Sequence, residues 1–249
     1  MNLYLYRLLY FNLFCLYLQR HHCKAFQSND PLLKSRKILG LKMSLISKIN
    51  IGELTKGTVL DRQELVPVFV ASKDGWSSSK FHRKVDFNPP LSTIAVCKTK
   101  SGVLCGAFNA LGWQSRDDYR DSLKTFLFKV NADGSVRKSS KIVGGPAVYD
   151  FGDRALWFSE GLFVPLNTKY MPIKRGRSSL GSSYTCLPSG ESSVLGSGGD
   201  VELVEIECYA SISMIQMSKN MYNVENDPQQ GIRGMMNSFE KMIFGSDQK

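Results

Sequence analysis

Two carboxylates, Glu205 and Glu207, form the most regular pair of ionisable side chains in the sequence. They lie in an apolar run that predicts a β-strand, and residues two apart in a strand project from the same face. With Asp200 and Glu202 just before them, we expect an exposed acidic stripe. Such a stripe could be a solvated edge, a surface for a partner, or the acid pair of a glycosidase, although the sequence marks no substrate cleft.

A single histidine, His82, follows the first 22 residues, and it stands directly after Phe81. A hydrolase would need a nucleophile beside a base, but the sequence has no Gly-x-Ser-x-Gly elbow. The Ser/Gly runs at 178–183 and 192–199 also lack the Lys-Ser/Thr of a phosphate-binding loop. We therefore expect His82 to make a structural hydrogen bond to a loop carbonyl, and the chain to be a non-enzyme without a cofactor.

The six cysteines show no Cys-x-x-Cys pair and no metal-ligand spacing, so no metal site is expected. Cys97 and Cys105 flank the turn at Ser101-Gly102. A two-residue loop would place the two thiols on opposite faces, whereas a three-residue loop would set them directly across from each other. Reduced, half-buried thiols are the default expectation and are typical of a cytosolic protein. The alternative is a redox-reactive protein acting on peroxide, which requires an exposed thiol of lowered pKa.

The elements that must position these groups are mostly strands. Between Leu65 and Tyr209, apolar runs of about five to eight residues alternate with Gly, Asn, Asp and Ser clusters. Helical patterns do not alternate with them, and no Rossmann or P-loop glycine pattern is present. The sequence therefore predicts a mainly β (α+β) fold, a two-sheet antiparallel β-sandwich with a few short flanking helices.

The stretch from Val70 to Arg83 has an unusual order of features. An apolar strand meets a turn at Asp74-Gly75, followed by Trp76, three serines suited to a helix N-cap, and Phe81-His82. This order resembles the opening of the TLDc domain found in eukaryotic oxidation-resistance proteins. Further segments match the family over roughly residues 65–210: Thr93–Phe108, Gly112–Ser115, Phe126–Phe128, Ala155–Phe158, Ser182–Thr185 and Val204–Tyr209.

The resemblance implies the same sandwich architecture and a set of signature positions with structural roles. These positions are Asp74, Gly75, Trp76, Phe81, His82, Asp86, Gly102, Gly106, Trp113 and Trp157. The three tryptophans are expected to anchor loops against the sheets, with binding hot spots as the alternative.

The resemblance also implies a function. TLDc proteins are associated with protection against oxidative stress and with binding of the vacuolar proton-pumping ATPase, and no established catalytic activity is implied. We therefore expect a protein-interaction module. Glu205 and Glu207 are candidate contacts, together with a predicted amphipathic helix over 232–244 whose apolar stripe includes Met235, Phe239 and Met242. That stripe would either dock on the sandwich or bind a partner.

The formal net charge of +10 is concentrated at the N-terminus, because residues 1–42 hold seven Lys and Arg against one Asp. The remainder is mildly basic, with a local cluster at 174–177 that is either a solvated loop or a site for an acidic partner or phosphate. No nucleic-acid-reading motif accompanies the charge, so nucleic-acid binding is not expected.

Residues 1–18 are apolar, but their uncharged run is shorter than the roughly 20 residues that a membrane-spanning helix needs. They could form a secretory or organellar leader, a membrane anchor, or an extension upstream of a working start at Met43. We favour the last interpretation and a cytoplasmic location, with membrane contact only if residues 1–42 are retained. The expected organisation is this extension, a lead-in over 43–64, the main domain over 65–210, and a linker with the C-terminal helix over 211–249. The polar residues 218–231, which include Pro228 and Gly231, predict the linker.

Overall fold

A computed structural model describes residues 44–168, 171–226 and 236. A 3-10 turn at Leu45–Lys48 is followed by helices α1 (Ile51–Thr55), α2 (Ala71–Asp74), α3 (Ser78–Val85) and α4 (Ile212–Asn226). The strands are β1 (Leu65–Val70), β2 (Thr93–Thr99), β3 (Leu104–Asn109), β4 (Asp118–Arg120), β5 (Phe126–Val130), β6 (Val136–Ser140), β7 (Val148–Asp150), β8 (Leu156–Phe158), β9 (Leu162–Val164), β10 (Leu166–Thr168), β11 (Met171–Ile173), β12 (Arg175–Gly176) and β13 (Val201–Ser211).

The main sheet has seven strands in the order β1-β13-β2-β3-β5-β6, with β12 pairing to the other end of β13, and all neighbours are antiparallel. β13, the last of the described strands, therefore lies between β1 and β2. Pro67 lies in β1, at the edge of the sheet, where the missing N–H of proline disrupts no inner ladder.

Both faces of this sheet are covered. On one face, three two-stranded ladders (β4–β7, β8–β9 and β10–β11) form a second layer, and their buried residues, such as Leu156 and Val164, share a core with Cys97 and Ile206 of the sheet. On the other face, Leu45 and other apolar residues of the N-terminal segment pack on the sheet. The predicted mainly β fold, an antiparallel sandwich with a few short helices, is confirmed.

The hairpin between β2 and β3 has the three-residue loop Lys100–Gly102, closed by a hydrogen bond from Thr99 N to Val103 O at 2.9 Å. Gly102 adopts φ +91°, a left-handed conformation that only glycine takes at little cost. The sequence left two loop lengths open, and this longer loop sets Cys97 directly opposite Cys105.

The linker predicted from the polar composition of residues 218–231 is wrong over its first part, because α4 continues to Asn226. The helix starts directly after β13, and Ser218, which is buried, donates a hydrogen bond to Asn88 O at 3.0 Å. This contact shows that polar residues can belong to a docked helix. Of the predicted C-terminal helix, only Met236 lies within the described residues; it is helical and 60% exposed.

Over residues 44–168, 171–226 and 236, no helix combines the length and the apolar character needed to cross a membrane.

Gly106 of β3 provides a test of how closely the sheet packs. A Cβ atom on Gly106 would lie 1.9 Å from Ala95 O and 2.8 Å from the Phe128 ring, so backbone would have to move. We expect Gly106→Ala to lower the free energy of unfolding by about 3 kcal/mol, the upper end for overpacking, measured by urea denaturation. Gly198→Ala is the matched control, because nothing lies within 4 Å of a Cβ there. Equal stability of the two variants would contradict this packing.

Candidate functional site

Trp113 is the centre around which several signature residues meet. Its side chain is fully buried. Its ring packs edge-on against the rings of Phe81 in α3 and Phe158 in β8, with ring centroids 5.5 Å and 5.6 Å apart. Its indole N–H donates to Thr93 Oγ1 of β2 at 3.2 Å. Trp113 therefore contacts a helix, the main sheet and the second layer at once.

His82 lies beside this ring with both of its nitrogens engaged. Nδ1 is 2.9 Å from Asp86 Oδ1, and Nε2 contacts the carbonyl oxygen of Arg154, a loop residue. The Asp86 carboxylate and the carbonyl both accept hydrogen bonds, so this arrangement is fully satisfied when both ring nitrogens carry a proton, which makes the imidazole cationic. Burial lowers the pKa of His82, but the hydrogen bond to Asp86 and its negative charge, with the Arg154 carbonyl, outweigh burial and raise that pKa above its usual 6.5.

The hydrogen bonds continue from Asp86 into a polar network. Oδ2 of Asp86 accepts from the Ser115 hydroxyl, and the Ser115 N–H donates to Asp150 Oδ1 at 3.1 Å. Asp150 is fully buried, and its charge is balanced by Arg120, whose Nη1 is 3.1 Å from Oδ2. Arg120 also donates to Gly112 O at 2.9 Å, which holds the loop that carries Trp113.

Serine, aspartate and histidine occur together in this network, but their order excludes nucleophilic catalysis in this arrangement. The Ser115 hydroxyl donates to Asp86 and not to His82. The Nε2 atom that would serve as the base is bound to a backbone carbonyl. A triad requires the histidine between the other two, with a free nitrogen facing the hydroxyl. The arrangement instead positions α3 and two loops.

The turn that opens the signature stretch is held by Asp74. Its Oδ2 accepts from Val70 N at 2.8 Å, and its Oδ1 lies 3.2 Å from Lys84 Nζ. Gly75 follows with φ +100°, which lets the chain reverse into Trp76. Trp76 is partly buried against the core, and Lys174 Nζ lies 5.1 Å from its ring centroid, a cation–π contact.

The expected acidic stripe is wrong, because Glu205 and Glu207 are only 1% and 5% exposed. Oε2 of Glu207 accepts from Leu45 N at 2.8 Å, from the Ser44 hydroxyl at 3.2 Å and from the Tyr209 hydroxyl. Oε1 of Glu205 accepts from Ser72 N at 3.0 Å. Segments more than 130 residues earlier in the chain cover this face, so neither carboxylate is available to a partner in this conformation.

Asp200 and Glu202, which precede them, do lie at the surface and are paired there. Asp200 Oδ2 accepts from Arg177 Nη2 at 3.0 Å, and Glu202 Oε2 is 2.8 Å from Lys100 Nζ. The acidic character of this strand end is therefore balanced by local cations.

Three thiols lie in the core. Cys97, Cys105 and Cys208 are fully buried and free. Burial raises the pKa of Cys105 and of Cys208 to about 12, and burial together with the two neighbouring thiols raises the pKa of Cys97. These three therefore fail the requirement of a redox-reactive thiol, which must be an accessible thiolate. Cys186 is free and exposed.

Trp157 differs from Trp113, because it is only partly buried and lies among other rings at the surface. We call this set the aromatic row: Tyr119, Tyr149, Phe151, Trp157 and Phe163. Sequence reasoning missed it. The sequence carries only a weak signal of it, the alternation of aromatic with aliphatic residues, because the strands of the second layer are about three residues long.

Two of the predicted segments lie outside the described residues. Met235, Phe239 and Met242 lie outside the described residues, as does the N-terminal extension. In the described part of the chain, no group of three or more His, Cys, Asp or Glu side chains could hold a metal ion.

The TLDc-domain family model matches residues 26–149. This match confirms the resemblance of the chain to the TLDc-domain family. The match overlaps the range inferred from sequence over 65–149, and it ends within β7, although β13 of the same sheet lies beyond it. No curated protein matches the chain.

The His82 contacts make a pH-dependent contribution to stability. Since the folded-state pKa is raised above the unfolded value near 6.5, this contribution is present below that pH and is lost as the pH rises through the folded pKa. Between about pH 6 and pH 8, we expect the urea-unfolding free energy of the wild-type chain to decrease with pH, and that of His82→Gln to decrease less. Asp86→Asn should flatten the profile in the same way. Parallel profiles in all three proteins would refute a cationic His82.

Thiol accessibility gives a second prediction. Among Cys97, Cys105, Cys186 and Cys208, we expect iodoacetamide to label Cys186 alone in the native protein, because the other three are buried with raised pKa values. Peptide mass spectrometry locates the label, and the urea-unfolded chain, in which all four should react, is the control. Rapid native labelling of Cys97 or Cys105 would show that the core opens and would revive a redox function.

Proposed function

We propose that this protein is a non-enzymatic interaction module that supports resistance to oxidative stress by binding the vacuolar proton-pumping ATPase. The observation that carries the proposal is the TLDc-domain match over residues 26–149, since that family is oxidative-stress-related. We include binding of the proton pump because the resemblance of the stretch from Val70 to Arg83 to this family implies it.

The geometry of the signature residues supports binding over catalysis. His82, Asp86, Ser115 and Asp150 satisfy one another's hydrogen bonds and hold loops in place. Side chains committed to such contacts stiffen the domain, and a stiff domain loses little conformational entropy when its surface binds a partner.

We further propose a cytoplasmic location. All four cysteines within the described residues are free, including the exposed Cys186 and the directly opposed Cys97 and Cys105. Free thiols in such positions are typical of a reducing compartment.

Co-purification tests the proposed partner. We expect the affinity-tagged full chain, isolated from peroxide-stressed and unstressed cells, to enrich proton-pump subunits identified by mass spectrometry. The Gly106→Ala variant, whose sheet is disrupted, should lose this enrichment at equal expression, whereas Gly198→Ala should retain it. A wild-type preparation without pump subunits in both conditions would refute the proposed partner.

A further inference from the structure

The aromatic row crosses the outer side of the second layer without a break. Tyr119 is directly opposite Tyr149 in the β4–β7 ladder, with ring centroids 4.8 Å apart. Trp157 is directly opposite Phe163 in the β8–β9 ladder, at 5.0 Å. Tyr149 and Trp157, 4.7 Å apart, join the two ladders. Phe151 fills the side of the row, 5.4 Å from Tyr119 and 5.7 Å from Trp157.

These rings are not needed to fill the core. Their strand neighbours Val148, Leu156, Leu162 and Val164 point inward and are fully buried, so the aromatic side chains lie on the opposite, outward side. Tyr119 is 62% exposed, and the other four rings are partly exposed. Contiguous exposed aromatic surface on a folded domain is typical of a binding site.

The two ends of the row differ in charge. At one end, the backbone of Phe163 pairs directly with that of Arg177, and each N lies 2.9 Å from the carbonyl oxygen of the other residue. Arg177 therefore continues the row beyond Phe163. Lys174 and Arg175 are exposed just before Arg177, and Lys100 lies nearby on Glu202. Arg177 and Lys100 are paired with Asp200 and Glu202, so Lys174 and Arg175 leave this end with a net positive charge. At the other end, exposed Asp117 and Asp118 precede Tyr119, with Arg116 beside them.

The dimensions of the row select the kind of partner. At about 4.8 Å per strand, the distance from the strand of Tyr119 to that of Arg177 is roughly 20 Å, and the row is about one to two side chains wide. This surface is far smaller than the roughly 800 Å² that each partner contributes to a stable globular interface. A second copy of the chain is therefore disfavoured, whereas an extended segment of about six residues spans the same distance.

We infer that the aromatic row binds an extended segment of a partner protein, with apolar or proline side chains on the rings and carboxylates at the Arg177 end. The carboxylates complement the cationic end, and the aspartates beside Tyr119 disfavour acidic residues at the other end. The inference rests on the proposed function, because it names the surface through which an interaction module would contact its partner.

Selection from a random peptide library tests this inference. The full chain is immobilised and panned against displayed peptides about twelve residues long, enough to cover the row. Enriched peptides are then synthesised, and their dissociation constants are measured by fluorescence anisotropy. Tyr119→Ser removes the most exposed ring. Leu123→Ser is the matched control, since Leu123 is 58% exposed and is not part of the row. Arg177→Glu reverses the cationic end.

We expect enriched peptides to carry apolar or proline residues with a cluster of Asp or Glu at one end only. Tyr119→Ser and Arg177→Glu should each weaken binding about tenfold or more, as at a hot spot, and Leu123→Ser should leave it unchanged. The inference is overturned if no peptide is enriched, if enriched peptides are basic, if all three variants bind equally, or if Tyr119→Ser only dissociates a dimer in analytical ultracentrifugation.

The same variants separate this inference from the proposed partner. If the wild-type chain binds peptides through the aromatic row but does not co-purify with the proton pump, the proposed partner is refuted, and the inference that the row binds an extended segment is supported. If wild-type chain and Tyr119→Ser co-purify equally with the pump and bind peptides equally, the row is overturned and the partner assignment stands.

Discussion

The fold depends on burying β13 between β1 and β2. From Glu205 to Ser211 every residue of this strand is buried, including two carboxylates. A buried carboxylate is costly unless hydrogen-bond donors satisfy it. The donors include Leu45, Ser44 and Ser72, which precede the carboxylates that they bind by more than 130 residues. The two carboxylates can therefore be buried at low cost only when these earlier segments pack across the sheet. This constraint links the two ends of the domain.

The second layer is held to the sheet by a different kind of interaction. Trp113 inserts its ring between α3 and β8, and the polar network around it satisfies the loops on either side. A cationic His82 between Asp86 and the Arg154 carbonyl ties the helix to the start of β8. Since Asp150 is also fully buried and paired with Arg120, the network places two negative and two positive groups where a single unpaired charge would be destabilising. The signature residues in this network therefore hold α3 and the loops around Trp113 in position.

Much of this could be predicted from the sequence, and the failures share a physical cause. Strand alternation correctly placed Glu205 and Glu207 on one face, but alternation says nothing about what covers that face. A register shift between Leu203 and Glu205 also changes the pattern locally, so Val204 is 41% exposed while Leu203 is buried. The choice between two hairpin loops depended on the backbone of Gly102, and composition could not decide it.

The same limit explains why the aromatic row escaped sequence reasoning and why it is suited to binding. Each of its strands is about three residues long, too short for a clear period, and the row exists only because separate ladders are placed side by side. The inward residues of those strands are fixed in the core, so the outward rings are held in position before any partner arrives. Aromatic side chains with two rotatable bonds then lose little entropy on binding. A fold whose interior neutralises its own charges leaves recognition to such preorganised surface rings, and the charge difference between the ends of the row would set the direction in which a bound segment lies.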